Sequence, residues 1–269
     1  MMTGTVVVTD LDGTLLHPET YSFEAALPAL GFLKERGVPL VLCSSKTRWE
    51  IESYRERLEN DDPFVSENGG GIFVPEDYFP FPVEGESTDS YIVMTLGRPY
   101  AEIRGVFEAL RKRLKVRVRG FADMTVQEVA SLSGLRPEEA ELSLKRDFGE
   151  PFVFEEGETG VEAFLKAIEE AGLHWTRGRF YHMLGDNDKG RAVRILRGLY
   201  EKLFGGVRTV GLGDNLNDLP LLKEVDTPVL VQKADGSYEP EINIPGLIRA
   251  EGIGPEGWNR TILELGETF

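Results

Sequence analysis

The stretch Val6-Val7-Val8-Thr9-Asp10-Leu11-Asp12-Gly13-Thr14-Leu15-Leu16 decides the fold. An apolar, β-branched run passes directly into two aspartates two positions apart, then Gly-Thr, then apolar residues again. Thr5–Thr9 shows no alternation of polar and apolar positions, so it predicts a short strand buried on both faces. Strands of that kind belong to parallel sheets with helices on either side. Asp10 and Asp12 sit near the strand end and face the same side. Gly13 lets the backbone turn beneath them.

Outward from this strand, Phe23, Leu27, Leu30 and Leu33 recur at helical spacing, which predicts a helix over Phe23–Arg36 stopped by Gly37. Val38–Cys43 is a second all-apolar strand, and Thr47–Leu58 a charged amphipathic helix. Phe64–Ser66 predicts a brief strand that Asn68-Gly69-Gly70-Gly71 turns into Ile72–Val74 as a hairpin. Pro75–Pro82, with its prolines among aromatic residues, reads as a crossover between domains. Beyond it the pattern predicts strand Tyr91–Leu96, helix Tyr100–Leu114, strand Lys115–Arg119, helices Thr125–Ser131 and Pro137–Lys145, and strand Phe152–Glu155. Helix Gly160–Ala171 and strand residues at Trp175 and Phe180–Leu184 follow. From Lys189 the alternation resumes as helix Gly190–Phe204, strand Val207–Leu212, helix Leu216–Val225 and strand Pro228–Val231. The fold class is α/β: a Rossmann-like parallel-sheet core, residues 1–83 and 187–269, with an inserted α+β cap domain over residues 84–186.

A chain of 269 residues with 41% hydrophobic content is long enough for a large core and two domains. Its net charge of −16 makes nucleic acid and anionic membrane poor partners. The same field repels an anionic substrate unless local cations or a metal reverse its sign. Cys43 is the single cysteine, so no internal disulfide forms, and its place in an apolar strand favours burial over reactivity. The N-terminus lacks a basic leader pattern and no apolar run reaches membrane-span length, so the expectation is a cytoplasmic protein.

Open parallel sheets bind ligands at the carboxyl ends of their strands. Three predicted strands end there in polar loops: Asp10 to Thr14, Ser44 to Arg48, and Gly213 to Asp218. Asp188-Lys189-Gly190 opens a helix at the same edge. Taken singly, each is an ordinary turn, cap or helix start. In this chain order, each at an element's end, they form a specific constellation. Asp214 and Asp218 are placed to join Asp10 and Asp12, and such a cluster repels itself unless a cation sits in it. Oxygen-only ligands point to a hard ion, Mg²⁺, which turns the cluster into a site for a phosphate dianion. One carboxylate then attacks and the other moves a proton.

These four segments resemble the motifs of the haloacid dehalogenase superfamily of phosphotransferases. The resemblance makes Asp10, in DLDGT, the nucleophile that forms an aspartyl-phosphate, and Asp12 the general acid/base. It makes Ser44 the hydrogen-bond partner of the phosphoryl oxygens and Lys189 the cation that neutralises the transferring group. In GLGDNLND it makes Asp214 a direct Mg²⁺ ligand, with Asn217 and Asp218 supporting the metal or its waters. Asp10 and the backbone carbonyl of Asp12 complete the implied shell, and the insert resembles a type IIB cap. Longer blocks resemble mannosyl-3-phosphoglycerate phosphatases: SSKTRWEIESYRERL, PFVSENGGGIFVPEDYFP, SGLRPEEAELSLKRDFGEPFVF, GRFYHMLGDNDKGRAV and GPEGWNRTILEL. They imply hydrolysis of a small phosphorylated sugar-glycerate to mannosylglycerate, a compatible solute, and phosphate. No motif fixes the sugar, so a glucosyl-3-phosphoglycerate or other sugar-phosphate phosphatase stays open. So do a phosphomannomutase-like mutase and a non-catalytic sugar-phosphate sensor. The intact set Asp10, Asp12, Lys189 and Asp214 argues against the sensor.

Candidate substrate contacts are Lys46, Arg48, Asn68, Arg146 and His182. Lys46 and Arg146 are the expected receptors of the substrate carboxylate. The basic run Arg111–Arg119 reads as a solvated face. The oligomeric state is not fixed by the sequence.

Overall fold

The computed structural model describes residues 4–88 and 90–269; residues 1–3, at the head of the expected first core segment, lie outside it. The chain opens with β1 (Gly4–Thr9), α1 (Leu27–Glu35), β2 (Leu40–Cys43), α2 (Arg48–Leu58), β3 (Phe64–Ser66), β4 (Gly71–Pro75), β5 (Glu86–Ser87) and β6 (Tyr91–Thr95). Its middle holds α3 (Tyr100–Leu114), β7 (Val118–Gly120), α4 (Val126–Ser133), α5 (Pro137–Ser143), β8 (Gly149–Phe154), α6 (Val161–Glu170), β9 (His174–Arg177) and β10 (Tyr181–Leu184). It closes with α7 (Lys189–Phe204), β11 (Val207–Gly213), α8 (Leu219–Glu224), β12 (Thr227–Gln232), β13 (Ile248–Ile253) and α9 (Pro255–Leu265).

One nine-stranded sheet has the order β13-β12-β11-β1-β2-β3-β4-β6-β5. It is parallel from β13 to β3, and β4, β6 and β5 extend it antiparallel. β1 lies in its interior, between β11 and β2, which explains its unbroken apolar run. Val6 and Val8 pack with Ala192, Val193 and Leu196 of α7 and Leu221 and Leu222 of α8. Val7, on the other face, packs with Ala29 and Leu33 of α1 and Trp258 and Ile262 of α9. Because β1, β2 and β11 are parallel neighbours, the residues following Thr9, Cys43 and Gly213 emerge at one edge.

The insert carries a four-stranded antiparallel sheet, β7-β8-β10-β9. Ile103 and Phe107 of α3 and Phe164 and Ile168 of α6 pack with Phe152 and Met183 of that sheet. Val129 of α4 and Ala140 of α5 belong instead to the cluster that includes Tyr21 and Tyr54 of the core. The insert therefore rests on the core through shared apolar packing as well as through its connecting strands.

The structure corrects several sequence expectations. Strand Tyr91–Leu96, expected in the insert, is β6 and pairs with β4 in the core sheet over Tyr91–Thr95. The expected boundary at residue 84 thus falls before two strands of the core sheet. Alternation marks a strand but not its partner, and β4 offered an open edge. The helix expected over Phe23–Arg36 begins as a 3-10 turn, Glu24–Ala26, and becomes α1 at Leu27, with Pro28 in its first turn. Strand Lys115–Arg119 shortens to Val118–Gly120 because Lys115 adopts a left-handed conformation that ends α3. β13 and α9 lie where the patterning assigns no element. The basic run is, as expected, a surface face: Arg111 pairs with Asp123, Arg117 with Glu158 and Arg119 with Glu128. Cys43 is buried. No described helix is long and apolar enough to cross a membrane.

Trp258 is fully buried, and its Nε1 donates to Thr9 Oγ1 at 3.0 Å, fixing the residue before Asp10. Trp258→Ala should cost about 3–5 kcal/mol of stability. Trp258→Phe, which keeps a ring and loses the hydrogen bond, should cost less. Denaturant unfolding of the three proteins checks the order; a Trp258→Ala midpoint equal to wild type would refute it.

Candidate active site

Asp10 follows β1 directly, and its N–H donates to Leu212 O of β11, which locks the loop to the sheet. Gly13 has φ +82, and a Cβ there would lie 2.7 Å from Asp214 Oδ2. Glycine is needed here both for the turn and for the close approach of the two loops. Thr14 Oγ1 donates to Asp214 Oδ1 at 3.2 Å. Lys189, the first residue of α7, places Nζ 2.6 Å from Asp10 Oδ1 and 2.6 Å from Asp218 Oδ1. Asp188 caps α7 by accepting from Arg191 N. Gly69 (φ +92) packs so tightly on this junction that a Cβ would sit 2.1 Å from Asp188 O.

Asp10, Asp214 and Asp218 are buried and offer carboxylate oxygens within 4.8 Å of one another. Burial, then the Asp218 charge, push Asp10 up to about 7 against the pull of Lys189. Burial, then Asp218 and Asp10, hold Asp214 well above the usual carboxylate range. Burial opposes the charge of Lys189, yet Asp10 and Asp218 keep its pKa above the ordinary value. When all three are ionised, three carboxylates against one ammonium leave two negative charges (3 − 1), so the donor set suits a divalent cation. Asp218 Oδ1 accepts from Lys189, and Oδ2 accepts from the N–H groups of Asp214 and Asn215. Asp218 is thus held as an organiser, while Asp10 and Asp214 are better placed as ligands. Asn217 Nδ2 donates to Asn68 Oδ1 at 3.3 Å.

Ser44 is fully buried at the end of β2, and its Oγ accepts from Lys46 N. Lys46 Nζ lies 2.9 Å from Asp12 Oδ1 and 3.5 Å from Glu50 Oε1. Burial disfavours this ammonium, but Asp12 and Glu50 hold its pKa above the ordinary value.

A cavity of about 450 Å³ lies between core and insert. Asp10, Asp12 and Asp214 line it from the core, and Arg146, Arg179 and His182 from the insert. Arg146 pairs with Glu67 at 3.1 Å and donates to Gly149 O and Ser45 O. His182 is held neutral, its pKa pushed down to about 3 by burial and then by Arg146 and Lys189. Its Nδ1 has no hydrogen-bond partner among the described residues. Asn68 lies at a second, neighbouring cavity of about 340 Å³, together with Asn187, Lys189 and Asn217. Arg48 lines neither cavity: it pairs with Glu52 and lies over the rings of Trp49, Phe73 and Tyr91.

The structure adds residues that no motif marked. Tyr21, at φ +55, donates its hydroxyl to Ser133 O of α4 at 2.6 Å. Arg179 donates to that same hydroxyl. Glu67, just before the Asn68–Gly71 turn, accepts from the N–H groups of Asp147 and Phe148 as well as pairing with Arg146. Each of these contacts joins distant parts of the chain, so local spacing carries no trace of it.

Residues 7–79 match the model of the haloacid dehalogenase-like hydrolase family. The chain is 47% identical to the glucosyl-3-phosphoglycerate/mannosyl-3-phosphoglycerate phosphatase of Methanococcoides burtonii, over 97% of this chain and 96% of that protein. The phosphatase of the same name from Persephonella marina is 44% identical over 97% and 96%. The mannosyl-3-phosphoglycerate phosphatase of Pyrococcus horikoshii is 36% identical over 84% and 90%. In fold, the chain resembles the sucrose-phosphatase of Synechocystis solved with sucrose and phosphate, with a TM-score of 0.64, 14% identity, and 98% and 99% of the two chains covered.

The Glu67–Arg146 pair is buried on both sides and joins the core hairpin to the insert. Removing one partner strands the other charge, so Glu67→Ala should cost about 3–5 kcal/mol. Glu67→Gln, which keeps an acceptor for the N–H groups, should cost less. Calorimetric unfolding tests this; a Glu67→Ala protein as stable as wild type would show that the pair does not tie the two parts together.

Proposed function

The chain belongs to the haloacid dehalogenase-like hydrolases and is a phosphatase, and from that premise we propose that it hydrolyses mannosyl-3-phosphoglycerate, and its glucosyl counterpart, to the glycosylglycerate and phosphate. The observation that carries this reading is the buried Lys189 ammonium between Asp10 and Asp218, with Asp12 on the same cavity wall. Relatives with this reaction in their names span nearly the whole chain, the insert included.

In the proposed mechanism Lys189 holds Asp10 Oδ1, and Oδ2 attacks the phosphorus in line. The ester P–O bond breaks, an aspartyl-phosphate forms, and Asp12 in its acid form protonates the departing alcohol oxygen. The Asp12 carboxylate then takes a proton from the water that attacks the same phosphorus. The bond to Asp10 breaks and phosphate leaves. Lys46, paired with Asp12, orients that carboxyl group between the two proton transfers. Lys189 and the Ser44 hydroxyl offset charge on the transferring group. Asp10, Asp214 and the Asp12 backbone carbonyl would hold Mg²⁺, with Asn217 and Asp218 behind them, and the ion supplies charge neutralisation at the phosphoryl oxygens when bound. The insert covers the cavity and restricts water, so cap motion belongs to substrate entry and product release.

Asp10→Asn should abolish phosphate release without loss of fold, because an amide of the same shape cannot act as the carboxylate nucleophile. Lys189→Ala should lower kcat by about 10²–10³. Chelation should stop turnover and Mg²⁺ should restore it. Single-turnover phosphate release measures all three, and an active Asp10→Asn protein would remove the covalent route.

The substrate assignment is tested by kcat/KM on mannosyl- and glucosyl-3-phosphoglycerate beside mannose 1-phosphate and mannose 6-phosphate. The two phosphoglycerate esters should lead. Equal turnover of the simple hexose phosphates would reject the assignment, and their interconversion without phosphate release would mark a mutase.

A further inference from the structure

Among the described residues, four Lys and Arg side chains line the 450 Å³ cavity: Lys46, Arg146, Arg179 and Lys233. Three are already matched. Lys46 faces Asp12 and Glu50, Arg146 faces Glu67, and Lys233 faces Glu239 at 2.5 Å. Arg179 makes no ion pair with any described residue. Its Nη1 donates to the Tyr21 hydroxyl at 3.0 Å and its Nη2 to Leu132 O at 3.2 Å, both neutral acceptors. Arg179 is exposed yet lines the cavity, and a guanidinium has five N–H donors in a planar fork, of which these two bonds use two.

The proposed substrate brings two anionic groups. The phosphate would meet the Asp10 carboxylate held by Lys189 and the cation that Asp10 and Asp214 would bind. A second anion, in a protein of net charge −16, needs a second cation that is not already neutralised. We propose that Arg179 is the receptor of the substrate's glycerate carboxylate and so sets the preference for phosphoglycerate esters. This rests on the phosphatase reading above and displaces Lys46 and Arg146 from the role expected of them. A carboxylate arriving at Lys46 would meet Asp12 and Glu50; at Arg146 it would meet Glu67. At Arg179 it meets a guanidinium whose charge has no ion-pair partner among the described residues and which keeps N–H donors beyond its two neutral bonds.

The setting of Arg179 supports the role. It stands in the tight connection between β9 and β10, where Gly178 N donates to Phe180 O. Tyr21, from the loop that follows Asp10 and Asp12, accepts from Arg179 and donates to Ser133 O of α4. Tyr21 is thus a positioning residue that fixes the guanidinium relative to both core and insert. Carboxylate binding at Arg179 then favours the seated arrangement of the insert.

The test compares mannosyl-3-phosphoglycerate with the matching mannoside of glycerol 3-phosphate, which lacks the carboxylate, under saturating Mg²⁺. Wild type should prefer the acid. Arg179→Gln should narrow that preference about 100-fold, chiefly through KM for the acid. Arg179→Lys should retain part of it, because an ammonium keeps the charge and loses the fork. Tyr21→Phe should narrow it less than Arg179→Gln. Lys46→Ala should lower both substrates by a common factor through Asp12. A discriminating wild type whose Arg179→Gln variant loses both substrates equally overturns the proposal alone, as does a preference erased by Lys46→Ala or Arg146→Ala in place of Arg179→Gln. A wild type that turns over both compounds equally overturns the phosphoglycerate reading, and the proposal with it.

Discussion

The ammonium of Lys189, 2.6 Å from both Asp10 and Asp218, is the interaction on which the site depends. Burial and the neighbouring Asp218 charge raise the proton affinity of Asp10 and Asp214, so the cluster calls for a cation. Lys189 offsets one of the three charges and leaves the rest for a divalent ion. The sheet makes the arrangement possible. Asp10 leaves β1 and Asp214 follows β11, and those strands are parallel neighbours. Lys189 enters from α7, whose apolar face packs on the same sheet. The packing of β1, β11 and α7 thus fixes the electrostatics at their ends.

A second set of contacts gives the cavity its roof. Glu67 in the core hairpin accepts from two N–H groups of the insert and pairs with Arg146. Thr47, which caps α2, donates its hydroxyl to Leu142 O. Tyr21 reaches Ser133 O. The Tyr21 and Thr47 links come from the loops that follow Asp10 and Asp12 and the Ser44 turn, and the Glu67 hairpin donates Asn68 N to Ser44 O. A shift of the insert is therefore felt at the same loops that hold the reacting groups. Among the described residues Lys46, Arg146 and Lys233 of the cavity wall are ion-paired and Arg179 is not, which makes Arg179 informative.

Most of the core was legible because its signals are local. A doubly buried strand needs a continuous apolar run, a tight loop needs glycine, and a carboxylate cluster at a strand end has few roles other than holding a cation or reacting. Asp10, Asp12, Lys189 and Asp214 could be named on those grounds together with the family resemblance. The strand at Tyr91 was also legible as a strand, but its sheet was not, because pairing with β4 depends on which edge stands open. Likewise Arg48 and Lys46 are equally basic and two residues apart, yet one turns to aromatic rings and the other to Asp12.

The sequence by itself determined most of the alternation of strands and helices and the acidic strand ends, since each is written in neighbouring residues. Only the tertiary structure decided which charges meet. Glu67 found Arg146 across 79 positions (146 − 67), Lys46 met Asp12, and Arg179 came to rest against a tyrosine hydroxyl and a backbone carbonyl. Composition fixes how many charges a chain has. Which of them remain available to a ligand depends on distances of 3–4 Å, and those exist only once the chain has folded.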